Sequence, residues 1–154
     1  MCLAGLTAGL RVTQKNEYDI TVLRGPSITE LILSPEEIDF TGTVRPDVIL
    51  ALSREGVDRR KHLFNHLDGN TLIIQARGVD LPPCDARIYQ IDFKAQNIRS
   101  HDRALAALSV LAKLNKAIHL KMLQSSLKFR FRGKILASAL DLVDRVVAAV
   151  DTDT

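Results

Sequence analysis

Short β-branched runs alternate with longer amphipathic stretches along this chain, and the two periods predict an α/β fold. The most regular part lies between Pro46 and Phe93. Pro46-Asp-Val-Ile-Leu-Ala-Leu52 reads as a strand, and Ser53 to Leu67 reads as a helix with an apolar stripe at Val57, Leu63, Phe64 and Leu67. Asn70-Thr-Leu-Ile-Ile-Gln-Ala76 reads as a second strand. After a loop through Pro82-Pro83, Ala86-Arg-Ile-Tyr-Gln-Ile-Asp-Phe93 reads as a third. Strands joined by a helical crossover argue for a parallel sheet.

Upstream, Ser27 to Ser34 alternates before turning apolar, which predicts a strand closed by Pro35. Arg11 to Gly25 is polar and reads as turns. The opening Met1-Cys-Leu-Ala-Gly-Leu-Thr-Ala-Gly-Leu10 reads as a helix that packs on a sheet. Downstream the pattern is helical. Ser100 and Asp102 offer a start, and Ala104 to Leu114 is apolar nearly all round, so it is expected to be buried on several sides, by its own chain or by another subunit. Ile118, Met122, Leu123 and Leu127 form a second stripe. A last helix carries Ile135, Leu136, Ala139, Leu140, Val143, Val146, Val147 and Val150 at the 3.6-residue period. Residues 151–154 read as a frayed tail. The expectation is one Rossmann-like domain over residues 1–150, a three-layer sandwich around a mostly parallel sheet with a helical C-terminal part.

Composition narrows the function more than the fold. Of 154 residues, 46% are hydrophobic and 25% charged, which is ordinary for a globular domain. A net charge of +3 does not by itself select a polyanionic partner. The two cysteines, Cys2 and Cys84, form no Cys-x-x-Cys pair, so reduced thiols in a cytoplasmic protein are expected, and no metal site. No apolar run reaches the ~20 residues that span a bilayer. The apolar opening has no basic residue before it, which makes it a poor signal peptide.

Catalytic motifs are not found. There is no Gly-x-Gly-x-x-Gly, no Gly-Lys-Ser/Thr loop and no Gly-x-Ser-x-Gly elbow, and the carboxylates are scattered. Ser53 is better explained as a helix cap. His62 and His66 stand four apart, but Leu-Phe-Asn between them lacks the acid of a zinc motif, so both are expected at the surface. Lys128-Phe-Arg-Phe-Arg-Gly-Lys134 interleaves cations with aromatics, as nucleic-acid binders do. The simpler reading is a helix end, with cations at the negative pole, a stopping glycine and phenylalanines packed inward. Arg54 and Arg77 each follow a predicted parallel strand. Loops at the carboxyl ends of such strands bind ligands, so the two arginines are candidates to hold an anion.

The order of several short motifs resembles one family. Gln14, then Arg24-Gly25 with Ser27, the strand to Ser34-Pro35, and Pro46-Asp47-Val48 look like the gamma subunit of 2-oxoacid:ferredoxin (acceptor) oxidoreductases. Asp102-Arg-Ala-Leu-Ala-Ala-Leu108 resembles the family's buried helix, and Arg130-Phe131-Arg132-Gly133-Lys134 resembles its Arg-Phe-x-Gly-Lys signature. The likeness runs from about Leu3 to about Val150. It implies a non-catalytic subunit, with thiamine diphosphate and iron–sulfur clusters held by catalytic alpha and beta partners, ferredoxin reached indirectly, and coenzyme A as acyl acceptor. Oxidative decarboxylation of a 2-oxoacid such as pyruvate would take place on those partners. By position, Gln14, Arg24, Gly25 and Ser27, with Tyr18 among them, would face those partners; Arg54 and Arg77, picked out by their place at the sheet edge, are the candidates to contact coenzyme A or another anion. In the family a strand and a Gly-x-Gly-Gly-Gln-Gly loop precede the helix with which this chain opens, so the expectation is either a central sheet position left unfilled or an exposed edge, and either a true start upstream of Met1 or a shortened relative that relies on a partner. The other reading is a stand-alone α/β module that binds a small anion or nucleic acid. A complex subunit is expected to leave the Ala104–Leu114 helix or the first loop uncovered when alone.

Overall fold

The computed structural model describes residues 1–17, 27–39, 42–43 and 45–150. Tyr18, Arg24 and Gly25 lie outside the described residues. The chain opens on α1 (Cys2–Thr7), followed by β1 (Arg11–Glu17) and β2 (Ile28–Ser34), which pair antiparallel from Arg11 opposite Ser34 to Glu17 opposite Ile28. A separate sheet contains β3 (Val48–Ala51), β4 (Leu72–Ala76) and β5 (Arg87–Ile91), all parallel, in the order β3-β4-β5. Between β3 and β4 lie α2 (Arg54–Arg59) and α3 (Lys61–Phe64). After β5 come a 3-10 turn (Ser100–Asp102), α4 (Arg103–Lys113), α5 (Leu120–Arg130) and α6 (Gly133–Ala148).

The fold is therefore the expected α/β class, with its parallel strands where the β-branched runs stand. Two expectations need correction. The polar stretch from Arg11 contains a strand, because β1 is held mainly by its ladder with β2; Arg11, Gln14, Lys15 and Asn16 are exposed, while Val12 lies half-buried against α1. The helix expected over 53–67 is broken at Arg60, whose backbone (φ −119°, ψ 22°) leaves the helical region. Its start follows the sequence: Ser53 is extended, and its Oγ accepts from the Gly56 N–H at 3.1 Å.

β4 is the centre of the core. Ile73 and Ile74 are fully buried although they point to opposite faces of the sheet, as a two-sided parallel strand requires. Burying each such side chain stabilises the fold by about 1.5–3 kcal/mol. Phe64 seats the crossover in this core, and Ile91 and Phe93 seat β5 and the turn after it. α4 covers β4 and packs against α5 and α6 through Val110, Leu111 and Ala107. Ala106, Ala107, Ser109, Val110, Leu111 and Ala112 of this helix are buried within its own chain, while Ala104 is exposed and Leu105, Leu108 and Leu114 are half-buried, so part of its apolar surface is left uncovered; most of the first loop lies outside the described residues. The last helix buries Leu142, Val143 and Val146, whereas Ile135 is 65% exposed.

Turns end the helices by stereochemistry. α1 stops at Gly9, where φ is +80°, and the Leu10 N–H bonds back to the Gly5 carbonyl at 3.0 Å. Gly5 lets α1 lie directly on the antiparallel pair: a Cβ there would stand 2.8 Å from Leu33 Cδ2 and 3.0 Å from Val12 Cγ2. α4 stops in the same way at Asn115, with φ +56° and the Lys116 N–H on the Leu111 carbonyl.

Candidate functional site

The carboxyl ends of β3, β4 and β5 lie side by side, because the three strands are parallel and in register. β3 runs out into Ser53-Arg54, β4 into Arg77-Gly78, and β5 into Asp92. The structure thus brings Arg54 and Arg77 to one edge of the sheet, as expected, but gives each a carboxylate. Arg54 Nη1 is 3.6 Å from Asp80 Oδ2, with both side chains mostly in solvent. Arg77 Nη1 donates to Asp92 Oδ2 at 2.6 Å, and the Arg77 N–H bonds the Ile91 carbonyl at 2.8 Å. Asp92 also accepts from the backbone N–H groups of Ala95 and Lys94, each at 3.0 Å. The Ala95 N–H, and then Arg77, hold this carboxyl below the usual carboxylate range. Charge alternates along the edge. Arg54 is loosely held and free to exchange its partner, while Arg77 is committed.

The second group of expected residues is on the antiparallel pair. Gln14 lies on β1, where its Nε2 donates to Asn16 Oδ1 at 2.8 Å and its Oε1 accepts from Cys2 Sγ at 2.7 Å. Asn16 also accepts from Thr29 Oγ1 at 2.9 Å. Ser27 is exposed just ahead of β2. Register places Glu17 and Glu30 on one face of the pair, two ladder positions apart on the diagonal. Arg60, at the break between α2 and α3, reaches across and donates through Nη2 to Glu17 and to Glu30, the latter at 3.0 Å. This tie between the crossover and the antiparallel pair escaped the sequence reading. Its partners lie 43 and 30 residues away, and no local pattern marks them.

The remaining candidates resolve individually. His62 and His66 are both exposed, and α3 ends at Phe64, so no helix carries the two. Among the described residues no three His, Cys, Asp or Glu side chains converge. Cys2 and Cys84 are free and half-buried. Burial pushes the Cys2 thiol up, away from the thiolate that a nucleophile needs. In the basic cluster, Arg132 Nη1 donates to the carbonyls of Phe129 and Phe131 at 3.2 and 2.8 Å, and to that of Lys128, so one cation does cap the end of α5. The other two parts of that reading are corrected. Phe129 is 68% exposed, because it stands on the solvent side of the last turn, and only Phe131 packs on the core. Gly133, at φ +55°, opens α6 rather than closing α5. Two shallow clefts, of about 600 and about 370 Å³, flank the end of α1, and neither is lined by Arg54 or Arg77.

No described helix is long and apolar enough to cross a membrane. The sequence profile of the pyruvate ferredoxin/flavodoxin oxidoreductase family matches residues 1–151. The 2-oxoglutarate synthase subunit KorC of Methanocaldococcus jannaschii is 27% identical over 93 residues, which are 58% of this chain and 49% of that protein. The chain thus spans about half the length of the curated relative it matches. The gamma subunit of a keto/oxoacid ferredoxin oxidoreductase from Geobacter sulfurreducens superimposes with a TM-score of 0.71 at 18% identity, over 97% of this chain and 88% of that one. A 2-oxoglutarate:ferredoxin oxidoreductase from Magnetococcus marinus, solved with 2-oxoglutarate, coenzyme A and succinyl-CoA bound, gives 0.77 at 21% identity, over 97% of this chain and 28% of the larger one. A pyruvate oxidoreductase subunit from Thermotoga maritima gives 0.69 at 14% identity, over 96% and 82%. A profile match over nearly every residue, joined to a fold shared end to end, shows that the chain belongs to the pyruvate ferredoxin/flavodoxin oxidoreductase family.

Proposed function

We propose that this chain is an accessory, gamma-type subunit of a 2-oxoacid:ferredoxin oxidoreductase, with oxidative decarboxylation carried out on partner subunits. The observation that carries this reading is the profile match over residues 1–151. The likeness of fold to a free-standing gamma subunit over 97% of the chain supports it. The donor set agrees: the usual ferredoxin-type iron–sulfur cluster takes four cysteine thiolates, and this sequence has two cysteines. The stand-alone reading loses its ground with the family match.

Gln14 and Ser27, with Tyr18, Arg24 and Gly25 between them in sequence, are proposed to face the catalytic subunits. Arg54 and Arg77 are proposed to face the phosphates of coenzyme A or an anionic group of a partner. Arg54 fits this role better, since its pairing with Asp80 is long and solvated and costs little to replace. Arg77 would have to give up a 2.6 Å bond to Asp92.

Purification from source cells through a tag on this chain tests the reading. Thiamine diphosphate-binding and iron–sulfur subunits are expected to accompany it, together with 2-oxoacid-dependent dye reduction that requires coenzyme A. A lone chain without such partners overturns it. In the assembled enzyme, Arg54→Gln is expected to raise the KM for coenzyme A several-fold with kcat nearly unchanged. An unaltered KM removes Arg54 from the site.

A further inference from the structure

From residue 103 to residue 140 the chain carries eight lysines and arginines and no aspartate or glutamate. The whole chain is +3, so the remainder is net negative by five. Four of these cations, Lys121, Lys128, Arg130 and Lys134, are exposed on α5 and at the α5–α6 turn. Along α5, the exposed Lys121, Ser125 and Lys128 recur at helical spacing opposite the buried Met122, Leu123, Ser126 and Leu127. Beyond this face, at the α5–α6 turn, Arg130 and Lys134 are also exposed. Among the described residues, no carboxylate pairs with Lys121, Lys128, Arg130 or Lys134. Two large apolar side chains stand within this basic frame: Phe129 is 68% exposed and Ile135 is 65% exposed.

We propose that the outer face of α5 and the α5–α6 turn dock onto an acidic protein surface with an apolar centre, on a partner subunit. This rests on the reading of the chain as an assembly subunit. An aromatic and an isoleucine left in water gain most when a partner desolvates them, and aromatic anchors dominate interface energies. The cations without a carboxylate partner form the rim. There they select an acidic partner and speed its approach. Nucleic acid fits less well. Among the described residues of the patch one exposed aromatic, Phe129, offers a stacking face, and a polyanion longer than the patch would meet a net negative remainder.

Acylation of lysines in the tag-purified assembly, read by mass spectrometry, tests this. Lys121, Lys128 and Lys134 are expected to react at least tenfold more slowly than the exposed Lys61 and Lys94 in the same sample. The double variant Phe129→Ser, Lys128→Glu is expected to lower recovery of the partner subunits at least tenfold, with its circular dichroism unchanged. Partner subunits recovered with all five lysines equally reactive would overturn the docking surface and leave the subunit reading intact. Protection lost on nuclease treatment would overturn it in favour of nucleic acid. Recovery of no partner would overturn both readings.

Discussion

Arg60 presents one guanidinium nitrogen to two carboxylates, Glu17 and Glu30, that register holds on one face of the antiparallel pair. The three side chains are 20–37% exposed, so water screens the cluster only in part. Arg60→Ala leaves two like charges facing one another and is expected to cost about 1.5–3 kcal/mol in denaturant unfolding, the range for hydrogen bonds to charged groups. Cys2 illustrates the opposite case, a reactive residue type made inert by its surroundings. Its thiol donates to Gln14, and burial raises its pKa. In a Cys84→Ser background, Cys2 is expected to react with a disulfide reagent at pH 7 more slowly than free cysteine does, and faster once Gln14→Ala removes its acceptor. The raised pKa of Cys2 follows from the seating of α1 on β1, which a sequence does not display. The cap at Ser53 is local and was legible; the stop at Gly9 is local too, but was not read from the sequence.

At the scale of elements, close approach and register decide more than propensity. α1 is only six residues long, too short to hold itself, and it is seated by Gly5 against Leu33 and Val12. Gly5→Val forces those side chains aside and is expected to destabilise the fold by about 1–3 kcal/mol, measured as a lower urea midpoint at unchanged slope. The three parallel strands were legible because each is a short apolar run with turn residues at both ends. β1 was not, because its polar residues carry no alternation toward a core and mainly the ladder with β2 makes it a strand. The helix over 53–67 was misjudged for a related reason: its apolar stripe runs through Val57, Phe64 and Leu67 on both sides of the Arg60 break, so periodicity alone does not reveal it.

At the scale of the whole molecule, the carboxyl edge of the parallel sheet is tied by Asp92, which bonds Arg77 from the neighbouring strand end and two backbone N–H groups of its own turn. Its folded pKa is depressed, so its contribution is present above the ordinary carboxylate pKa and is lost as pH falls through the lower, folded value. Stability is expected to decline below about pH 5, and Asp92→Asn is expected to make that decline shallower in acid-unfolding experiments. The sequence alone determined the α/β class, the parallel run from Pro46 to Phe93, the C-terminal helices and the family likeness, because these rest on local period and motif order. Tertiary structure alone decided three further features: the pairing of Arg54 and Arg77 with carboxylates, the Arg60 tie, and which apolar residues of the C-terminal helices remain in water. Each depends on which distant segments meet, and a contact between residues 30 or 43 apart leaves no trace in a local pattern.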